Sequence, residues 1–233
     1  MPRVRTRFPT VFVGHPFGHH FSTKKFRRLF SELPFNVVYG NTDIQTEHLL
    51  TIMKQNIKKA DFALFDLSDW NPNVSLELGL AEGLRKKSLK PYYILLNTRR
   101  SKEVPADVRG IQRLEYTRYD YSQDAGLGDQ LAQILRKEYW VKRIFKELAA
   151  SGENESKRRK KLLLCLRIIA HLRNNEKLAP ENLETLTRGT HFRQPDKKGI
   201  LDLLRKLKFL RKLPNSSVYQ RYRTVFRGSS PES

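Results

Sequence analysis

The chain of 233 residues contains a single cysteine, Cys165. One thiol cannot form an intramolecular disulfide, which excludes a disulfide-stapled scaffold. The neighbours of Cys165 are leucines on both sides, Leu162, Leu163, Leu164 and Leu166. In such surroundings a cysteine most simply acts as a small buried apolar residue.

Long apolar runs are also missing. No uninterrupted apolar stretch approaches the ~18 residues that a membrane-spanning helix requires. Residues 1–7 are interrupted by arginines and contain no apolar core of signal-peptide length. We therefore expect a cytoplasmic protein with no membrane partner. The 39% of hydrophobic residues are nevertheless enough to form packed cores.

Acidic residues are few relative to basic ones. The chain has 24 Asp plus Glu against 45 Lys plus Arg, a net charge of +21. Residues 1–150 carry 25 basic and 16 acidic residues (+9), and residues 151–233 carry 20 and 8 (+12), so the shorter part is the more basic. Such an excess predicts a nucleic-acid partner, DNA or structured RNA, bound mainly by the C-terminal part.

The sequence has no signature of a bound metal or a common cofactor. His15, His19 and His20 form a cluster, but no carboxylate or cysteine accompanies them at ligand spacing. A solvated or pocket-lining role for these histidines is therefore the expectation. No phosphate-binding Walker loop and no Ser-His-Asp arrangement is evident. We expect neither a metal nor a resident cofactor.

One stretch, Asp61–Leu84, combines a buried strand, a turn and a helix. The apolar run Phe62–Leu67 predicts a fully buried parallel strand. Asn71 suits the N-cap of a following helix, and Pro72 suits its first position. In this helix Glu77 falls on the apolar arc formed by Val74, Leu78, Ala81, Leu80 and Leu84.

A carboxylate that faces a core is unfavourable unless it is paired, hydrogen-bonded or protonated. Two interpretations of Glu77 follow. It forms a buried ion pair with one of the many arginines, or it is a functional carboxylate at a strand-turn-helix corner, the usual crevice position of α/β proteins.

The residues 66–81, DLSDWNPNVSLELGLA, resemble the Toll/interleukin-receptor-like (TIR-like) and nucleoside 2-deoxyribosyltransferase-like superfamily. That resemblance implies that Glu77 attacks or stabilises the anomeric carbon while an N-glycosidic bond breaks. The deoxyribosyltransferases have an aspartate six residues before the glutamate, where this chain has Asn71. The difference favours hydrolysis of a related ribosyl or deoxyribosyl compound over base exchange.

Strands alternate with helices through residues 1–150, which predicts an α/β fold with a parallel, flavodoxin-like sheet. The predicted strands are 10–14, 35–39, 62–67, 91–96 and 111–116, and one long helix over 129–148 closes the domain. The segment 14–18, GHPFG, resembles the first nucleotide-binding loop of the same superfamily. The ends of the first and third strands are neighbours in such a sheet, so one crevice would hold the site. The predicted substrate-binding residues are Gly14, His15, Phe17, Asp66, Ser68, Asn71 and Asn73.

The predicted boundaries are a domain over 1–150, a basic linker over 151–161 and a second domain over 162–233. In the second, an apolar helix at 162–172, helices at 180–187 and 197–209, and a basic hairpin resemble a winged helix-turn-helix. The predicted phosphate contacts are Arg205, Lys208, Lys212, Arg221, Arg223 and Arg227. The alternative is a small helical oligomerisation domain with a basic surface.

The position of Glu77 and the resemblance to the TIR-like superfamily imply one function, and the same pocket allows a second. The first is an N-glycosidase that acts on NAD or a nucleotide as substrate, with Glu77 as its catalytic carboxylate. The second is a winged-helix DNA-binding regulator that senses a nucleotide without cleaving it. The combination of domains resembles effectors of bacterial anti-phage systems, including retron-associated ones. That resemblance leaves open a protein partner in a defence complex and self-association.

Overall fold

The computed structural model describes most of the chain, as the ranges 7–16, 23–40, 49–68, 70–88, 90–100, 110–117, 126–188 and 192–222. Within those ranges no helix is both long and apolar enough to cross a membrane. Their contacts divide the chain into two compact units. One, the α/β unit, comprises Pro9–Phe30 and Phe35–Tyr119, and the other, the helical unit, comprises Met1–Phe8, Ser31–Pro34 and Asp120–Ser233.

The α/β unit alternates strands and helices along the chain. Its elements are β1 (Thr10–Gly14), α1 (Thr23–Ser31), β2 (Asn36–Tyr39), α2 (Leu49–Lys59), β3 (Phe62–Asp66), α3 (Pro72–Ser88), β4 (Tyr92–Asn97) and β5 (Arg113–Tyr116). The five strands form one parallel sheet in the order β2-β1-β3-β4-β5. The predicted α/β class with a parallel, flavodoxin-like sheet is therefore confirmed.

Burial along the strands follows their place in the sheet. All residues of β3 and β4 are buried, whereas β2 at one edge is half-buried and β5 at the other edge alternates between exposed and buried. Central strands of a parallel sheet are covered on both faces, which explains their continuous apolar sequences. The register places Gly14 at the end of β1 opposite Phe65 of β3, so the strand ends meet at one edge.

Helix α3 begins where the sequence predicts. Asn71 Oδ1 accepts a hydrogen bond from Asn73 N at 2.9 Å, and Asn71 O accepts one from Ser75 N at 3.0 Å. This is an N-cap, with Pro72 at the first helical position. The helix packs against β1, β3 and α2, which places its apolar face on the sheet.

The helical unit consists of α4 (Leu127–Leu135), α5 (Tyr139–Ala149), α6 (Glu155–Asn174), α7 (Pro180–Thr187) and α8 (Gln194–Lys206), with three short strands. The sequence predicts one long helix over 129–148, and this is wrong. Between α4 and α5 the backbone amides of Lys137 and Glu138 bond the carbonyls three residues before them, which ends the first helix in a tight turn. The break lets Trp140 pack against Phe8 and Phe209, at ring-centroid distances of 5.9 and 6.1 Å.

Helix α6 is the centre of this unit. Its residues 162–170 are all buried, and it contacts α4, α5, α7 and α8. The strands β6 (Lys177–Leu178), β7 (Leu210–Lys212) and β8 (Tyr219–Arg221) form an antiparallel sheet in the order β6-β8-β7. The predicted hairpin corresponds to β7 and β8, and the sequence analysis missed the two-residue β6.

The structure differs from the predicted linker over 151–161. Residues 155–161 form the first two turns of α6, capped by Asn154 Oδ1, which accepts a hydrogen bond from Lys157 N at 2.8 Å. Lys157 and Lys161 both form ion pairs with Glu153 and with Asp196 near the start of α8. In this helical conformation the lysines of the basic run form ion pairs with carboxylates of the same unit.

Helices α4 and α5 also belong to the helical unit. The predicted boundary at residue 150 instead assigns them to the first domain.

Candidate active site

Glu77 lies on the buried face of α3, as its position in the apolar arc predicts. Its side chain is 5% exposed, and Val74, Leu78 and Ala81 of the same helix are buried with it. Glu82 lies on the outside of the helix, where its carboxylate accepts a hydrogen bond from the hydroxyl of Tyr92. The two glutamates of α3 therefore occupy opposite environments, one in the core and one in contact with solvent.

Two glycines make room for the Glu77 carboxylate. Gly14 ends β1, and Gly40 directly follows β2 and donates a hydrogen bond to Val13 O at 3.1 Å. A Cβ built on Gly14 would overlap Glu77 Oε2, and one built on Gly40 would overlap Glu77 Oε1 and lie 2.6 Å from Glu77 Cδ. The carboxylate thus rests against bare backbone at the carboxyl ends of two neighbouring strands.

Burial controls the charge of Glu77. Glu77 Oε2 is enclosed and has no hydrogen-bond partner among the residues that the structure describes. Nor does an arginine or lysine of those residues form an ion pair with it, so the buried-ion-pair interpretation has no support in the described part of the chain. Desolvation raises the pKa of Glu77 to about 7 from an ordinary value of 4.5. The carboxyl group is therefore about half protonated at neutral pH.

His15 lies next to Gly14 at the end of β1 and is also buried. Its Nδ1 donates a hydrogen bond to Pro16 O at 3.1 Å, and its ring packs against Phe26 and Tyr39, with centroid distances of 4.8 and 5.6 Å. Burial lowers the pKa of His15 to about 4. At neutral pH the imidazole is uncharged, so it contributes an aromatic wall to the site and no positive charge.

Asp66 and Ser68 belong to a hydrogen-bond network at the ends of β3, β4 and β5. Asp66 Oδ1 accepts bonds from Ser68 N and Oγ, and Asp66 Oδ2 accepts one from the hydroxyl of Tyr116 at 2.8 Å. Ser68 Oγ in turn accepts a bond from Asn97 N at 2.8 Å. Both predicted substrate-binding side chains are thus engaged within the protein, where they hold three strand ends together.

The two predicted asparagines lie at the start of α3. Asn71 Oδ1 caps the helix, and Asn73 is exposed in the first turn. Since a helix rises about 1.5 Å per residue, Asn71 lies about 9 Å along the axis from Glu77. Phe17, His19 and His20 lie outside the described residues. The structure therefore brings Gly14, His15 and Glu77 together and places the asparagines farther along the same helix.

Sequence reasoning missed three residues around Glu77. Gly40 contacts the carboxylate directly, Tyr39 packs on His15, and the guanidinium of Arg27 lies 4.8 Å from the centre of the Tyr39 ring. One signal was available for Gly40, because it follows the predicted second strand, whose end must lie beside that of the first. The positions of Tyr39 and Arg27 depend on the packing of α1 against the strands, which no local pattern reveals.

The predicted phosphate-binding residues differ in whether their side chains are exposed or already bound within the protein. Arg221 Nη1 donates to the carbonyls of Leu172 and Arg173 at 3.2 and 2.7 Å, so it caps the C-terminal end of α6 and is not a free surface cation. Lys208 and Lys212 are exposed, and Arg205 is exposed and paired with Asp202 at 3.0 Å. Arg223 and Arg227 lie outside the described residues.

No group of three or more His, Cys, Asp or Glu residues in the described ranges is arranged to hold a metal ion. The sequence matches no protein-family model and no curated protein.

Proposed function

We propose that the protein is an N-glycosidase that hydrolyses NAD or a related nucleotide, with Glu77 as the catalytic carboxylate. The observation that carries this proposal is the position of the Glu77 carboxyl group. It is buried against Gly14 and Gly40 at the carboxyl ends of β1 and β2, where open α/β sheets bind ligands. A carboxylate that has no cation in the described part of the protein is suited to a positive charge that the substrate supplies.

Cleavage of an N-glycosidic bond generates such a charge. The C1′–N bond breaks, its electron pair stays on the nitrogen of the base, and C1′ becomes cationic. Glu77 stabilises C1′ electrostatically or by attack. The oxygen of a water molecule finally bonds to C1′, the bond from C1′ to the Glu77 oxygen breaks where it had formed and returns the free carboxylate, and the water proton passes to the base or to solvent. The buried surroundings strengthen the attraction, because a low local dielectric constant screens charges weakly.

The neighbouring groups fit this role. Neutral His15 is buried under the half-buried ring of Tyr39, and these two rings form the apolar surroundings in which we place the base. The network of Asp66, Ser68 and Tyr116 joins the ends of β3, β4 and β5, and so fixes the strand that neighbours β1 on the side opposite β2. Asn73 and the side-chain amide nitrogen of Asn71 are the candidates for contacts with ribose hydroxyls.

For the helical unit we propose that it acts as a winged-helix domain that binds nucleic acid. This binding would target or regulate the glycosidase. The order of α6, β6, α7, α8, β7 and β8, with an antiparallel sheet, supports this interpretation. So do the exposed cations Lys208 and Lys212 after α8. A cytoplasmic enzyme with this pair of units would suit bacterial anti-phage defence, with nucleic acid or a partner protein as its trigger.

Base release is the test of the enzymatic proposal. Purified protein is incubated with NAD and with a panel of nucleosides and nucleotides, with and without DNA and RNA, and free base is followed by chromatography. We expect turnover of at least one N-glycoside. Saturable binding with no base release under any condition would refute the glycosidase and identify a nucleotide sensor instead.

A further inference from the structure

Helix α5 has a solvent face of unusual composition. Tyr139, Lys142, Arg143 and Lys146 follow one another at i, i+3, i+4 and i+7, which places them along one side of the helix. Tyr139, Lys142 and Lys146 are exposed and Arg143 is half-buried. The opposite side, with Trp140, Val141, Ile144 and Leu148, is buried. These four residues, called the α5 face below, extend for about 10 Å along the helix axis.

The cations of the α5 face have no acidic partners in the described part of the chain. Lys142, Arg143 and Lys146 form no ion pair or hydrogen bond with any side chain that the structure describes. The one carboxylate within α5, Glu147, is bound by Lys206 of α8 at 2.6 Å. By contrast, Lys157, Lys161 and Lys197 of α6 and α8 all bind carboxylates. Within the described residues, therefore, no carboxylate neutralises the positive charge of this face.

Tyr139 gives the face its second property. Its side chain is 69% exposed, more than any other large hydrophobic residue among those described. The other aromatic residue of the same turn, Trp140, is 2% exposed, so the packing of α5 does not require an aromatic ring at position 139. An exposed ring beside three cations offers a stacking surface next to phosphate-binding groups.

We propose that the α5 face binds single-stranded nucleic acid, with Tyr139 stacking on a base and Lys142, Arg143 and Lys146 contacting phosphates. An aromatic ring can stack on a base only where the base is unpaired, and every base has a flat face that such a ring can use. A stacked strand advances about 3.4 Å per nucleotide, so a face of about 10 Å accommodates roughly three phosphates. This surface lies on α5 and not on α8 or the β7–β8 hairpin, although Glu147 of α5 binds Lys206 of α8. The proposal does not depend on the glycosidase.

The test measures the affinity of the whole chain for a labelled oligothymidylate of about 20 nucleotides and for a labelled duplex. Binding is followed by fluorescence anisotropy at several salt concentrations. The variant K142Q/R143Q/K146Q is compared with K54Q/K58Q/K59Q, which removes the same charge from exposed positions on α2. We expect the α5 variant to bind the single strand at least about tenfold more weakly. The slope of log K against log salt concentration should become shallower by about 2, at roughly 0.7 per lost phosphate contact. The α2 variant should retain most of the affinity and the slope.

Tyr139 is tested separately. Y139A should weaken single-strand binding about fivefold or more, while Y139F, which keeps the ring, should bind like the wild type. Neither change should affect duplex binding. Equal losses from the α5 and α2 variants, equal binding by Y139A and Y139F, or an equal loss on duplex and single strand would each overturn the proposal. So would a wild-type protein that binds no oligonucleotide at low salt.

Discussion

Glu77→Gln is expected to lower the rate of base release by about a thousandfold or more while leaving the protein folded. A unit charge about 4 Å from a developing cation contributes about 4 kcal/mol at an effective dielectric constant of about 20. The neutral amide loses this attraction, which corresponds to roughly three orders of magnitude in rate. The rate is measured as kcat for free base at saturating substrate. The matched control is Glu82→Gln, a change on the exposed side of the same helix, which should keep wild-type turnover.

Glu77→Gln should also raise the free energy of unfolding at neutral and alkaline pH. The folded-state pKa of Glu77 is about 7 and its ordinary value is 4.5, so the folded protein holds a proton that the unfolded chain releases between these values. Wild-type stability therefore falls as pH rises from about 4.5 through about 7, by up to ~3 kcal/mol. Glutamine does not titrate, so the difference in Tm between Glu77→Gln and wild type should widen from pH 5 to pH 8. A difference that stays constant over this range would mean that Glu77 is not a desolvated carboxylate.

Gly40→Ala is expected to lower turnover by about a hundredfold with little loss of stability. The three atoms nearest to the added methyl group all belong to the Glu77 carboxyl group, which is the movable end of a flexible side chain. The protein can fold by displacing the carboxylate, and a shift of about 1 Å in a catalytic group costs roughly two orders of magnitude in rate. Activity and Tm are measured together.

Two glycine variants serve as comparisons. In Gly14→Ala the added methyl group would overlap Glu77 Oε2 and lie 2.9 Å from Phe65 Cδ1 of β3, so we expect it to lose stability as well as activity. In Gly83→Ala the methyl group meets nothing within 4 Å on the outside of α3, and alanine there should stabilise the helix by up to ~1 kcal/mol with normal turnover. Wild-type activity in Gly40→Ala would show that turnover does not depend on the position of the Glu77 carboxylate.

The α/β unit could be predicted from the sequence because its signals are local. Buried parallel strands are continuous apolar runs, and α3 has a cap residue, a proline and a regular apolar arc, so their positions were correct within one or two residues. Glu77 could be identified for the same reason, since a charge inside an apolar arc is visible in the sequence alone.

The features that escaped prediction depend on contacts between distant residues. Asp66 looks like a free carboxylate in the sequence, but Tyr116, 50 positions later, binds it. Arg221 looks like a surface cation in an alternating strand, but the carbonyls at the end of α6 bind it. The break between α4 and α5 reflects the packing of Trp140 on Phe8 and Phe209, and periodicity within 129–148 does not contain that information.

The measurement that tests the central claim most directly is the pH dependence of kcat/KM for base release. This parameter reports ionisations of the free enzyme, and ionised Glu77 is the form that stabilises a cationic C1′. With the pKa of Glu77 at about 7, kcat/KM should rise about tenfold per pH unit below 7 and level off above it. A profile that is flat from pH 5 to pH 8, or a profile with the same inflection in Glu77→Gln, would contradict the assignment of Glu77 as the catalytic carboxylate.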